Sequence, residues 1–201
     1  MPQCSTRTRL DRQSLFKDIL LPHCSISLHQ ASLSASLTRA AKDYLKDAPR
    51  SWIARGQLAD IAAQLQASFP EGTLPLQTDI LEIATLYGDM SRHQALRVRL
   101  EKITTDSCRK FHVDCVDLRL LRAYVGPGVQ WTTDNGSTIQ EASTGAIVFL
   151  KGKHFPQWDH AEKVLHRSPP LSHRPAKERI RLLLTIDEAN ACGEPPFEMA
   201  A

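Results

Sequence analysis

Apolar positions follow two different rhythms along this chain of 201 residues, and the change between them comes near Cys108. From Ser32 to about Lys46, alanine, leucine and serine recur with helical spacing, and from Trp52 to about Ala67 apolar residues return every three or four positions. Both patterns predict amphipathic helices. A third helix is expected over 78–87, where Thr78 can cap and Ile80, Ile83 and Leu86 share a face. A fourth is expected from Ser91 onward, with Leu96, Val98, Leu100 and Ile103 as its apolar positions. Beyond Cys108 the apolar residues come in short runs, VDLRLLRAYV, GAIVFLKG, KVLHRS and RIRLLLTID, broken by GPG, DNGS and a proline-bounded loop at 169–175. These are strand and turn signals. The gaps leave no room for crossover helices, so antiparallel pairing in a small sandwich or barrel is expected. The chain divides into a mainly helical region 1–107, a β region 108–190 and a loose tail 191–201, together one structural unit of α+β class.

Composition narrows the function. A hydrophobic share of 42% and a charged share of 23% are ordinary globular usage. The net charge of +3 comes from 25 basic against 22 acidic residues, too balanced for a nucleic-acid footprint. No apolar run approaches the roughly 20 residues of a membrane span, and the polar opening MPQCSTRTRLDR lacks a secretory core. A cytoplasmic protein is expected, with a small-molecule or protein substrate and neither nucleic acid nor membrane as partner. Cys4, Cys24, Cys108, Cys115 and Cys192 are odd in number and scattered, which argues for reduced thiols rather than a disulfide framework. Phosphate loops, dinucleotide fingerprints, nucleophile elbows and CxxC pairs are absent from the sequence.

The chemistry concentrates at His112-Val113-Asp114. If this segment is extended, positions 112 and 114 point to one side about 6–7 Å apart, close enough to chelate one ion. A third ligand from another strand completes a two-histidine, one-carboxylate set that leaves coordination positions open. His166, in KVLHRS, is the natural candidate. A rival zinc set of Cys108, His112 and Cys115 suits thiolate and imidazole chemistry, but in an extended segment Cys115 points away from His112. Structural histidines at strand ends are the plain alternative. His154, His160, His166 and His173 are nearly evenly spaced, as in a metal buffer, although loop histidines are ordinarily surface residues. Lys151, Lys153, Arg167, Arg174 and Lys177 read as a solvated basic rim.

The order of these features, a His-x-Asp motif, a glycine-led apolar strand, a distal histidine and the arginine-bearing RIRLLLTID, resembles the double-stranded β-helix of Fe(II)/2-oxoglutarate oxygenases over 108–187. The resemblance implies N-terminal helices packed on a C-terminal antiparallel jelly-roll, or cupin-like, β-helix. It implies His112, Asp114 and His166 as metal ligands, Arg181 or Arg179 as the grip on the far carboxylate of 2-oxoglutarate, and Tyr124 as a further hydrogen bond to the bound acid. The implied activity is oxidation of a C–H or N-methyl group with Fe(II) and 2-oxoglutarate. Over the whole chain, CRKFHVDCVDLRLLRAYVGPGVQW, HRSPP and RLLLTID are similar to a bacterial family of unknown function, family 1826, whose members are often encoded near zinc-homeostasis genes. That similarity raises zinc as the competing metal and a non-catalytic metal-binding accessory in zinc homeostasis as the competing role. A β-barrel binding module is the third reading.

Overall fold

The computed structural model describes residues 13–156, 158 and 163–191. Cys4, Cys192, His160 and the expected tail beyond Ala191 lie outside them.

The first predicted helix forms as α1, Ala35–Asp47, where the Ser34 hydroxyl accepts a 3.2 Å hydrogen bond from the Leu37 amide and satisfies one orphan donor of the first turn. The expected second helix is instead a strand followed by a helix. SWIARG forms β2, Ser51–Gly56, and a capping box between Gln57 and Asp60 starts α2, Leu58–Ser68. The third helix is longer than its periodic core, α3, Leu74–Ser91, and stops where Arg92 turns left-handed at φ 63°.

The expected fourth helix is a strand, β3, Leu96–Ile103. Leu96, Val98 and Leu100 fit a period of two as well as a helical spacing. Arg97, Arg99 and Glu101 alternate with them, and strands on both sides decide the outcome. A further strand, β1, Ile26–His29, precedes α1. The first hundred residues thus carry strands β1, β2 and β3 among their helices.

The C-terminal half follows its predicted runs: β4 Leu118–Val125, β5 Gln130–Thr132, β6 Gln140–Glu141, β7 Ile147–Lys151, β8 Leu165–Arg167 and β9 Arg181–Glu188. Two antiparallel sheets result, one ordered β1-β7-β4-β9-β3-β2 and one ordered β6-β5-β8. The larger sheet takes strands from both halves of the chain, so the sequence boundary at 107/108 is not a structural one.

Strand alternation gives the larger sheet two unlike faces. Val98, Leu100, Leu118, Leu120, Phe149, Leu182, Leu184 and Ile186 meet the helices in the main core. Burying one such side chain contributes about 1.5–3 kcal/mol. On the opposite face Leu121, Val148, Leu150 and Leu183 pack with Trp131 of the smaller sheet and with Val129 just before β5. Polar side chains interrupt this second layer, and there the candidate site lies. Among the described residues, no helix is long and apolar enough to cross a membrane.

Candidate metal centre

His112 and His166 are joined by an isolated antiparallel bridge, each amide donating to the other's carbonyl at 3.0 Å. The bridge sets the two rings side by side, 4.6 Å between centroids. Asp114 is held at its backbone, where its carbonyl accepts from the Lys153 amide at 2.9 Å. The close passage depends on Gly152, because a Cβ there would lie 2.1 Å from the Val116 carbonyl oxygen and 2.9 Å from that of Asp114.

The three side chains converge, with one ligand atom from each lying within 4.8 Å of the others. His166 Nε2 is 2.9 Å from Asp114 Oδ2, and His112 Nε2 is 3.4 Å from Oδ1. Donors bound about 2.1 Å from one ion at right angles sit roughly 3 Å apart, so these separations suit adjacent positions around a single metal. His112 Nδ1 faces the Lys110 carbonyl at 2.9 Å. That contact places the ring proton on Nδ1 and leaves Nε2 as a lone pair directed at the site.

The buried Asp114 Oδ2 has no aligned hydrogen-bond partner despite its closeness to His166. A buried oxygen left in this way is costly unless something else binds it, and a cation between carboxylate and imidazoles fits. Burial alone would raise the Asp114 pKa, but the two histidines and the charge of Arg119 outweigh it and hold the carboxyl well below its usual range. The contact with Asp114 raises the His112 pKa, against an opposing effect of burial.

A cavity of about 160 Å³ opens beside the cluster, lined by His112, His166, Arg119, Thr185 and Arg181 among others. It is smaller than the roughly 300–1,000 Å³ of pockets for drug-sized ligands. Arg181 is almost wholly buried, and its Nε and Nη1 donate to the Pro127 carbonyl at 2.6 Å and the Ser168 hydroxyl at 3.0 Å. Both acceptors are neutral, and no carboxylate of a described residue pairs with it. Burial therefore pushes its pKa down to about 10.

Not every expected residue reaches the cavity. Arg179 precedes β9, follows a short 3-10 turn at Ala176–Glu178, and donates to the Arg174 carbonyl on the surface. Arg179 and Arg181 are two residues apart, but only Arg181 lies on a strand, so alternation does not put them on one face. Tyr124 is on the helix-facing side of β4, its hydroxyl donating to Asp79 of α3 at 2.6 Å. Residues 115–117 form a loop between His112-x-Asp114 and β4, so alternation does not run from one to the other. Cys108 and Cys115 are exposed thiols outside the three-residue group. His154 and His173 are exposed as expected of loop histidines. Lys151 leaves the expected rim, being buried with Nζ bonded to the Leu21 carbonyl at 2.5 Å and placed over the Phe155 ring.

Two residues passed over in the sequence complete the centre. Arg119 Nη1 lies 2.5 Å from Asp114 Oδ1, while its Nε and Nη2 donate to Asp187 at 2.6 and 2.9 Å. An arginine within the apolar run LRLLRAYV was the available signal.

No curated protein matches the chain in sequence. Among solved structures, a Pseudomonas putida prolyl-4-hydroxylase aligns with a TM-score of 0.52 at 13% identity, covering 88% of this chain and 97% of its own. A full-length Neurospora crassa protein in complex with alpha-KG aligns with a TM-score of 0.52 at 12% identity, covering 98% of this chain and 83% of its own. At such identities the likeness shows the fold, a mixed helical and antiparallel architecture shared with 2-oxoglutarate oxygenases. The family model described as "Protein of unknown function (DUF1826)" matches residues 11–187, and the chain belongs to that family.

Proposed function

We propose that this protein is a mononuclear Fe(II)- and 2-oxoglutarate-dependent oxygenase acting on a small-molecule or protein substrate. The observation that carries the reading is one cavity lined both by the histidines of the cluster and by a buried arginine. At the cluster one carboxylate and two imidazoles converge, with Asp114 Oδ1 beside Arg119 and the buried Oδ2 left without an aligned hydrogen bond. Arg181, buried in the wall of the same cavity, has no carboxylate partner among the described residues. A dicarboxylic keto acid would suit both, its keto-acid end meeting a metal held by the cluster and its far carboxylate meeting the guanidinium.

Nitrogen and oxygen donors without thiolate favour iron over a structural zinc site. Bound there, Fe(II) supplies the dioxygen chemistry that couples decarboxylation of the keto acid to oxidation of a second molecule. The protein's own part is to hold three donors on one side, keep Asp114 ionised, and shield the cavity between its sheets.

The test is anaerobic loading with Fe(II), followed by succinate release from 2-oxoglutarate on admitting oxygen. Wild type should turn over slowly even without its substrate, and His166→Ala should lose metal and turnover together while remaining folded. Tight zinc binding with no succinate release would refute the oxygenase and favour the zinc-homeostasis accessory.

A further inference from the structure

Asp114 has two oxygens, and the structure treats them differently. Oδ1 is engaged by Arg119 Nη1, whereas Oδ2 has no aligned hydrogen bond. Arg119 is itself fixed. Its other edge forms a two-point pair with Asp187, and Asp187 Oδ2 also accepts from Arg97 Nη2 at 3.0 Å. Arg97 and Asp187 are direct cross-strand partners on β3 and β9. Leu120 of β4 pairs with Ile186, which sets Arg119 beside Asp187 on the same face. All of these side chains are wholly or largely buried.

From this geometry we infer that Arg119 is a positioning residue for the metal centre, which occupies Asp114 Oδ1 and presents Oδ2 alone to the ion. The inference rests on the metal reading above. Held in this way, the carboxylate takes a single coordination position and leaves the rest for the keto acid and oxygen. The rigid fork of arginine is what the arrangement requires, since one guanidinium has to meet Asp114 and Asp187 along different edges. Lysine, a single point charge, can serve one carboxylate or the other.

The probe is Co(II) titrated into the metal-stripped 201-residue chain and followed by visible absorption, with circular dichroism as the check on folding. Loss of an outer contact to a metal ligand ordinarily costs 10–100-fold in metal affinity. Arg119→Lys should weaken Co(II) binding by about that factor and alter the ligand-field bands as the carboxylate gains freedom. Asp187→Asn, which releases the far edge of Arg119 without touching Asp114, should act in the same direction by a smaller factor. A second readout is the rise in Tm on adding Co(II), which should shrink in both variants; a merely structural arginine would lower the metal-free and loaded Tm alike. Folded variants with wild-type Co(II) affinity and spectra would overturn the inference. If Arg119→Lys does not fold, Asp187→Asn decides alone. If wild type and Asp114→Ala are alike in failing to bind Co(II), the metal reading itself falls and this inference with it.

Discussion

Replacing Arg181 with methionine should leave the protein about as stable as before while removing its hold on 2-oxoglutarate. The side chain is 1% exposed, and burial lowers its pKa from 12.5 to about 10. At 1.36 kcal/mol per pKa unit, roughly 3 kcal/mol of folding free energy opposes keeping this cation inside. The folded pKa lies below the unfolded one, so the opposition is in force at neutral pH and fades only as the guanidinium deprotonates above about pH 10. Methionine removes that term and retains most of the apolar stem. It also strips a donor from the buried Pro127 carbonyl, at a cost of about 1–3 kcal/mol. The Ser168 hydroxyl is half-buried and can turn toward water.

The two terms nearly cancel, and the expected change in unfolding free energy is within about 2 kcal/mol of zero. Ligand binding has no such compensation. A hydrogen bond to a charged group is worth about 1.5–3 kcal/mol, which predicts a loss of roughly 10- to 150-fold in affinity for 2-oxoglutarate. Urea unfolding gives the first quantity, and calorimetric titration of 2-oxoglutarate into Co(II)-loaded protein gives the second. A stability loss above about 4 kcal/mol, or unchanged 2-oxoglutarate affinity at full metal content, would refute the reasoning.

Three further outcomes follow from the same geometry. Tyr124→Phe removes the donor to Asp79 and should cost about 1–3 kcal/mol in urea unfolding, while calorimetry should find 2-oxoglutarate affinity unaltered because the ring faces the helices. Gly152→Ala drives a Cβ into the Val116 carbonyl beside Asp114. It should weaken Co(II) binding as well as lower Tm, and a Tm loss with unchanged metal affinity would show that the neighbouring loop yields without moving Asp114. Metal affinity should also fall toward acid pH. His112 must lose its proton to bind, and Asp114 raises its pKa above the usual 6.5, so log affinity should drop by at least one per pH unit below that raised value. The metal-free protein behaves oppositely, since the His112–Asp114 contact contributes stability below pH 6.5 that disappears as pH rises through the folded His112 pKa. A flat Co(II) affinity from about pH 5 to 8 would contradict the role of His112.

The convergence of His112, Asp114 and His166 was legible because its information is local. His112 and Asp114 are two residues apart, and His166 lies in a short strand that announces itself by its turns. Arg181 opens a long apolar strand, and an arginine there is conspicuous. Tyr124 and Arg179 lie off the cavity because strand alternation does not carry through the loop at 115–117 or the turn at Ala176–Glu178, where parity resets. Residues 51–56 and 96–103 were misjudged because short apolar runs fit both periods, and only the partners on either side select the strand. Arg119 and Asp187 were invisible as a pair, being 68 residues apart and joined only by register.

Register is also what links stability to function in this fold. Along β9 the even positions Leu182, Leu184 and Ile186 enter the helical core, and the odd positions Arg181, Leu183, Thr185 and Asp187 turn toward the smaller sheet. A slip of one residue would exchange the faces, burying charges against the helices and emptying the cavity of its arginine. The apolar face therefore selects the alignment that assembles the site. The ion pairs of Asp187 with Arg97 and Arg119 reinforce it from the other side, because they form only when β3, β9 and β4 are in that register. Buried ion pairs add little net stability against apolar replacements of similar volume. Their value here is specificity, in that the contacts penalising a slipped β9 are the same ones that hold Arg119 against Asp114.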